Sequence, residues 1–310
     1  MRDFLEILRC PECHSSLLEY DDKSIICENC KCSYEVREGI PVFLSEKKSH
    51  DINLSISKWD ENYKANFDRY IEDIDEHIES RDIKDVLKYI DNFWSHRNNC
   101  LYLEIGCGPM LLGLHMARRG HRVIGIDSSF EALRLAREIF SKKLQNNSGA
   151  LFICADVKKM PLAADSIDLI YGGGVIEHFD NLKGSVSELY RVCKSGGAAF
   201  NTVPCLSLGA LTYRQLWGNI PDLPVIKQMA EFIHIGLLKS RHMKFGYEKS
   251  YLVSKLRRVF KKAGFSGVDI GYFDCNLKFE FVRNNGLKEV LKRVARNRLF
   301  WPMVYVSSIK

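Results

Sequence analysis

Two C-x-x-C pairs, Cys10-Pro-Glu-Cys13 and Cys27-Glu-Asn-Cys30, stand 13 residues apart near the start of the chain. Each pair can close a tight knuckle offering two thiolates to one tetrahedral metal, so the set points to a structural zinc. A softer iron centre is the alternative, since sulfur ligands in tetrahedral geometry suit either metal. Four sulfur ligands imply no open position for a metal-bound water, which argues against catalysis by this metal. Cys32 follows as a spare thiol.

A second set of residues has the chemistry to hold a nucleoside. Leu101-Tyr-Leu-Glu104-Ile-Gly106-Cys107-Gly108-Pro-Met110 reads as a strand, a glycine turn and the start of a helix near Leu111. Glycines there let backbone approach a ligand closely. The third position of G-x-G-x-x-G is Leu111, which argues against a dinucleotide pyrophosphate site. Asp127 ends the run Val123-Ile-Gly-Ile, 23 residues after Glu104, where its carboxylate can accept from both hydroxyls of a ribose. A further 29 residues on, Asp156 in Ala155-Asp-Val157 can accept from an adenine amine. A single Asp at a strand end is also a common helix cap, and it is the spacing of the acidic positions that favours a ligand. Gly172-Gly-Gly-Val-Ile-Glu177-His178 then places an imidazole just past a fourth strand. His178 can act as a base with Glu177 orienting it, or both can be pocket wall; His234 and His242 are alternative bases. Cys205, after Pro204, reads as a buried thiol.

The elements that must position these residues alternate. Short β-rich runs at Leu101–Ile105, Arg122–Ile126, Leu151–Cys154, Ile167–Tyr171 and Ala198–Val203 are separated by helical stretches or a loop, the pattern of βαβ units and a parallel sheet. Ligands of such sheets sit at the carboxyl ends of the strands, where the candidate residues fall. Upstream, Trp59, Tyr63, Phe67 and Tyr70, then Ile83, Val86, Leu87 and Ile90, recur at helical spacing. The division expected is a module at 1–45, a polar linker from Ser45 to Ser57 and helices within 46–99, and an α/β domain at 100–310. An insertion at about 205–247, with Tyr213, Trp217, Phe232 and Phe245, should cap an acceptor pocket unless it is a packed decoration. Then come a helix at Glu248–Gly264, strands at Phe265–Ile270 and Trp301–Val306, and between them a basic helix at Asn284–Leu299.

The order of motifs over residues 100 to 205 resembles class I S-adenosylmethionine-dependent methyltransferases: E-x-G-C-G at Glu104–Gly108, I-E-H at Ile176–His178 and L-x-x-G-G-type residues ending at Gly196 and Gly197. That resemblance implies a doubly wound, Rossmann-like, mostly parallel seven-stranded sheet whose last strand is antiparallel. It also implies that Gly106 and Gly108 line the methionine moiety, with Glu104, Cys107 and Ser128 in the same donor site. Asp127 would hold the ribose, Asp156 and Val157 would face adenine, and the backbone near Gly172 would pass the sulfonium. Met110 departs from the pattern, since many members carry a third glycine there. Residues from Leu8 to Leu44 resemble the zinc-ribbon family that partners methyltransferases, as a separate subunit or a fused module.

Composition narrows the class. With 46% hydrophobic and 27% charged residues in 310, the chain is globular and long enough for about two folding units. Its 11 cysteines and the absence of an apolar leader point to a reducing cytoplasm, and the uncharged run from Ser195 to Tyr213 is too polar for a transmembrane helix. Residues 239–310 hold 17 Lys and Arg against 5 Asp and Glu, whereas the first 99 hold 14 against 22. The basic third is expected to be a solvated face or to meet an anionic or lipid-linked substrate. The function expected is methyl transfer to a small-molecule, lipid or saccharide intermediate. An RNA or translation-component methyltransferase is the runner-up, and a non-catalytic donor-binding partner protein the third reading. Nucleic acid is disfavoured because no Asp/Asn-Pro-Pro-Tyr/Phe motif follows the fourth strand and no RNP or helix-turn-helix pattern appears.

Overall fold

A computed structural model describes residues 4–21, 23–44, 50–94, 99–144, 149–243, 246–273, 279 and 282–310. Phe245 and the first five residues of the expected linker lie outside these. The remainder of that linker is helical, because α1 spans His50–Ala65. It is followed by α2 (Phe67–Glu72), α3 (Ile74–Ile78) and α4 (Arg81–Phe93). The apolar stripe of α4, Val86, Leu87 and Ile90, is buried.

The α/β domain carries seven strands: β5 (Leu101–Ile105), β6 (Arg122–Asp127), β7 (Ala150–Cys154), β8 (Ile167–Gly173), β9 (Cys193–Pro204), β12 (Ser266–Tyr272) and β13 (Met303–Ile309). Every residue of β5 is buried, as expected of a central parallel strand covered on both faces. The covering helices include α5 (Leu111–Arg118), α6 (Phe130–Lys143), α7 (Leu182–Val192) and α9 (Val253–Ala263). Strand order is β7-β6-β5-β8-β9-β13-β12, with β5 to β9 parallel and β13 antiparallel to both neighbours. The order reverses between β5 and β8, so the loops after these two strands frame the crevice where such sheets bind ligands.

The amino-terminal module adds β1 (Leu17–Asp21), β2 (Ser24–Cys27), β3 (Ser33–Arg37) and β4 (Ile40–Val42) as an antiparallel meander. Its last strand pairs in parallel with β7, and Phe43 N donates to Cys154 O at 2.7 Å, so the sheet runs through eleven strands instead of seven. This covers the edge that β7 would otherwise present. Leu8, Ile25, Val36 and Phe43 share one core with Ile153, Met160 and Leu162. The module therefore does not have to bury its apolar residues alone, and a metal there would supplement a shared core.

In the 205–247 region the chain forms short 3-10 and π-helical turns, α8 (Pro224–Glu231) and β10 (Ile220–Pro221), which pairs with β11 (Lys249–Ser250). Lys58 of α1 donates to the carbonyls of Ser240 and Met243 at 3.1 and 3.2 Å, tying this insertion to the helix that crosses the crevice. Near the end, α10 spans Asn285–Ala295.

Candidate active site

The turn after β5 is built on left-handed backbone: Gly106 at φ +53° and Gly108 at φ +50°. A Cβ on Gly106 would stand 2.5 Å from Val175, and one on Gly108 would stand 2.6 Å from the Tyr63 hydroxyl, so both positions demand glycine on two counts. Met110 also sits in the left-handed region, at φ 53°, just before α5. Its side chain is fully buried and fills space over Gly113 and Gly125, where an added Cβ would lie 2.6 Å from Met110 atoms. The conformation that suits glycine is thus kept by a side chain whose packing offsets the strain.

Asp127, at the end of β6, closes the loop. One carboxylate oxygen accepts from Gly108 N and the other from Ser129 N, both at 2.8 Å. Burial pushes its carboxyl upward, and the N–H groups of Ser129, Gly108 and Ser128 counter this. Glu104 does not reach the crevice. It lies buried beneath the first turn of α5, accepting from Gly113 N at 2.7 Å and from Tyr102 Oη at 3.1 Å, and burial pushes its carboxyl up to about 8. Cys107 is buried, with its N–H on the carbonyl of Ile126.

Beyond β7, Asp156 caps a short 3-10 turn by accepting from Lys158 N at 2.9 Å, and Val157 is core. Beyond β8, Gly172 faces Asn201 and Ile105, while Gly173 and Gly174 line the pocket. His178 also lines it. Its Nδ1 lies 2.7 Å from the carbonyl oxygen of Tyr247, so Nδ1 carries the hydrogen and Nε2 keeps its lone pair. The orienting partner expected of Glu177 is therefore Tyr247. The Glu177 carboxyl is buried, with Oε2 unpartnered among the described residues, and burial and the neighbouring Glu248 push its titration well up against a smaller opposing pull from Arg214. His234 and His242 are not among the pocket's described lining residues; they are bonded to each other at 2.8 Å, with His234 also on Gln215.

The pocket, about 210 Å³, runs between the loops after β5, β6 and β8, and its outer wall comes from α1. Trp59 and Tyr63, their rings stacked 5.8 Å apart, lie across it with Ser128, Ser129 and Phe179. Asp60 anchors α1 by accepting from Ser129 Oγ at 2.7 Å. The aromatic spacing of this helix was legible, but an aromatic stripe more often marks core packing, and nothing in its period says which ring meets a ligand.

In the amino-terminal module the ligand atoms of Cys10, Cys13, Cys27 and Cys30 all lie within 4.8 Å of one another. Cys10 and Cys30 sulfurs are 3.6 Å apart, and those of Cys13 and Cys27 are 3.3 Å apart. A tetrahedral metal at Zn–S distances of about 2.3 Å needs sulfur separations of about 3.8 Å, so the donor set fits such an ion.

Comparison with known proteins follows the same division. The family described as "Methyltransferase domain" matches residues 103–201, and "Trm112p-like protein" matches residues 2–39. A malonyl-[acyl-carrier protein] O-methyltransferase of Hamiltonella defensa is 30% identical over 134 residues, 43% of this chain and 48% of that protein. The chain thus spans about half the length of that relative. Among solved structures, a Haemonchus contortus phosphoethanolamine N-methyltransferase 2 in complex with S-adenosylmethionine aligns at TM-score 0.56 and 16% identity, covering 87% of this chain and 61% of that one. A chain from the complex of the Haloferax volcanii Trm112 methyltransferase activator aligns at TM-score 0.51 and 16% identity, covering 84% and 99%. Residues 103–201 thus match the methyltransferase-domain family model on the Rossmann-like fold of these structures, and residues 2–39 match the Trm112p-like model.

Proposed function

We propose that the chain is an S-adenosylmethionine-dependent methyltransferase acting on a small-molecule, lipid or saccharide intermediate. The observation that carries this reading is the cradle around Asp127: a half-buried carboxylate accepts backbone N–H groups on both oxygens, beside two glycines that leave no Cβ in the crevice. Each oxygen retains capacity for one hydroxyl of a vicinal diol, as a ribose requires. Gly106 and Gly108 would pass the methionine portion and Gly173 and Gly174 the sulfonium, with Ser128 and Ser129 on the nucleoside side. Asp156 and Val157 would act by shaping the turn after β7.

In the transfer, an acceptor lone pair forms the new bond to the methyl carbon as the carbon–sulfur bond breaks, and that electron pair returns to sulfur. A hydroxyl acceptor gives its proton to Nε2 of His178. The protein's part is alignment and exclusion of water. A pocket of about 210 Å³ is below the usual range of about 300 to 1,000 Å³ for small-molecule sites, so donor entry displaces the Tyr63 ring from above Gly108 and shifts α1 outward. The four cysteines hold a structural zinc. Oxygen as the acceptor atom is supported by the resemblance to the O-methyltransferase of Hamiltonella defensa.

The test supplies methyl-labelled donor with lipid extract, soluble metabolites and RNA in separate reactions. Label in a lipid or metabolite is the expected result. Label in RNA selects the translation-linked reading, which the Trm112p-like module favours. Donor binding without transfer to any pool selects a non-catalytic partner protein.

A further inference from the structure

The carboxyl end of the sheet carries a second concavity, outside the proposed donor pocket. A groove of about 1150 Å³ lies where α9, along its length from Val253 to Lys262, faces the chain after β9 and the residues leading into β13. Among its described lining residues Arg257, Arg258, Lys261, Lys262 and Arg298 are cationic and none is acidic. Leu206, Leu208, Leu252 and Leu299 supply apolar surface between them, and Leu208 N donates to Leu299 O at 2.9 Å, so the two leucines, 46% and 63% exposed, are neighbours.

In the chain, α10 comes immediately before Arg298 and Leu299 of the groove. Its one buried residue is Ala295, while Leu287, Val290 and Val294, on one helical face, are 51%, 55% and 38% exposed. Lys288, Lys292 and Arg293 share the helix, and its one acidic residue, Glu289, is paired with Lys292 at 2.7 Å. Such an exposed apolar face flanked by cations is costly in water unless something covers it.

We infer that this face docks on an anionic lipid bilayer, with α10 lying in the interface plane and the cationic groove over the headgroups. Intermixed leucines and cations match a surface that is apolar below and anionic above, and they need no fixed shape from the partner. Single-stranded nucleic acid would call for stacking aromatics, and Trp301 is the one aromatic among the groove's described lining residues. The groove is wired to the pocket by a short segment: Tyr247 O holds His178, and four residues later Tyr251 O accepts from Leu206 N at 2.8 Å. A protein docked in this way meets lipid-linked acceptors beside its pocket. That bearing on the acceptor rests on the methyl-transfer reading, whereas docking itself does not.

The experiment is flotation of the full chain with phosphatidylcholine vesicles, either pure or containing about one-third phosphatidylglycerol. Partition onto the anionic vesicles at least about tenfold above the neutral ones, weakening with salt, is expected. The combined variant R258Q, K261Q, K262Q and R298Q loses at least about tenfold of that partition, since each cation near such a surface contributes roughly fivefold. L287S with V290S and V294S lowers it as well. These side chains are exposed, and an unchanged melting curve and unchanged S-adenosylhomocysteine affinity show that fold and donor site survive. Equal partition onto both vesicles, or no effect of either variant, overturns the inference. Salt-sensitive capture of RNA or of an acidic carrier protein without vesicle binding overturns it too. Loss of vesicle binding with donor affinity intact leaves the methyl-transfer reading standing, so the two failures are distinguishable.

Discussion

His178 is held by a backbone carbonyl, and this fixes which nitrogen can take a proton without any charged partner. If it removes the acceptor's proton, His178→Ala lowers turnover at least about tenfold while leaving donor affinity nearly unchanged, which separates a base from a binding residue. Near-normal turnover would make it pocket wall and turn the search for a base to His234 and His242, which are bonded to each other at 2.8 Å. Glu104 titrates for a different reason. Its carboxyl is pushed by burial from 4.5 to about 8, so the folded state favours the protonated form. The resulting stability is complete below about pH 4.5 and is lost as pH rises through about 8, at up to roughly 1.4 kcal/mol per pH unit. Glu104→Gln keeps an oxygen for Gly113 N and cannot ionise. Denaturation followed from about pH 5 to about pH 8 should therefore show wild type losing stability relative to the variant. Parallel profiles would contradict the buried-acid account.

At the scale of elements, α1 decides access. Tyr63 covers Gly108, and Trp59 stacks on Tyr63, so donor entry should change the emission of Trp59. The change should vanish in Trp59→Phe, and an unaltered spectrum at donor saturation would show that α1 stays in place. The βαβ order, the glycine turn and the acid closing β6 were legible because each depends on local chemistry: alternating periods, left-handed backbone, a strand-end carboxylate. The helix wall was not, since its rings meet the site through tertiary packing across more than forty residues of chain, from Tyr63 to Gly106. The same limit explains Glu104 and Asp156. Both acids were found at strand ends, but only the fold shows that one binds the start of α5 and the other caps its own turn. From His50 onward the expected linker is helical, since polar composition does not exclude a helix whose covering role comes from tertiary contacts.

Across the whole molecule, the amino-terminal module and the α/β domain form one sheet and share one core, so the four-cysteine site and the α/β domain are coupled through β4 and β7. Elemental analysis should find about one zinc per chain, lost in Cys27→Ser with Cys30→Ser. Because the core is shared, that variant should melt earlier yet retain the α/β spectrum. A metal-free wild type would contradict the four-thiolate assignment. The crevice framed by β5, β6 and β8 is expected to bind S-adenosylmethionine through Asp127. Calorimetric titration of wild type and Asp127→Ala with S-adenosylhomocysteine, the product of the same donor, tests it most directly. The account predicts one site per chain in wild type and affinity at least about tenfold weaker in the folded variant, since charge-assisted hydrogen bonds of about 1.5 to 3 kcal/mol each are lost. No binding to wild type, or equal affinity in a correctly folded variant, would contradict it.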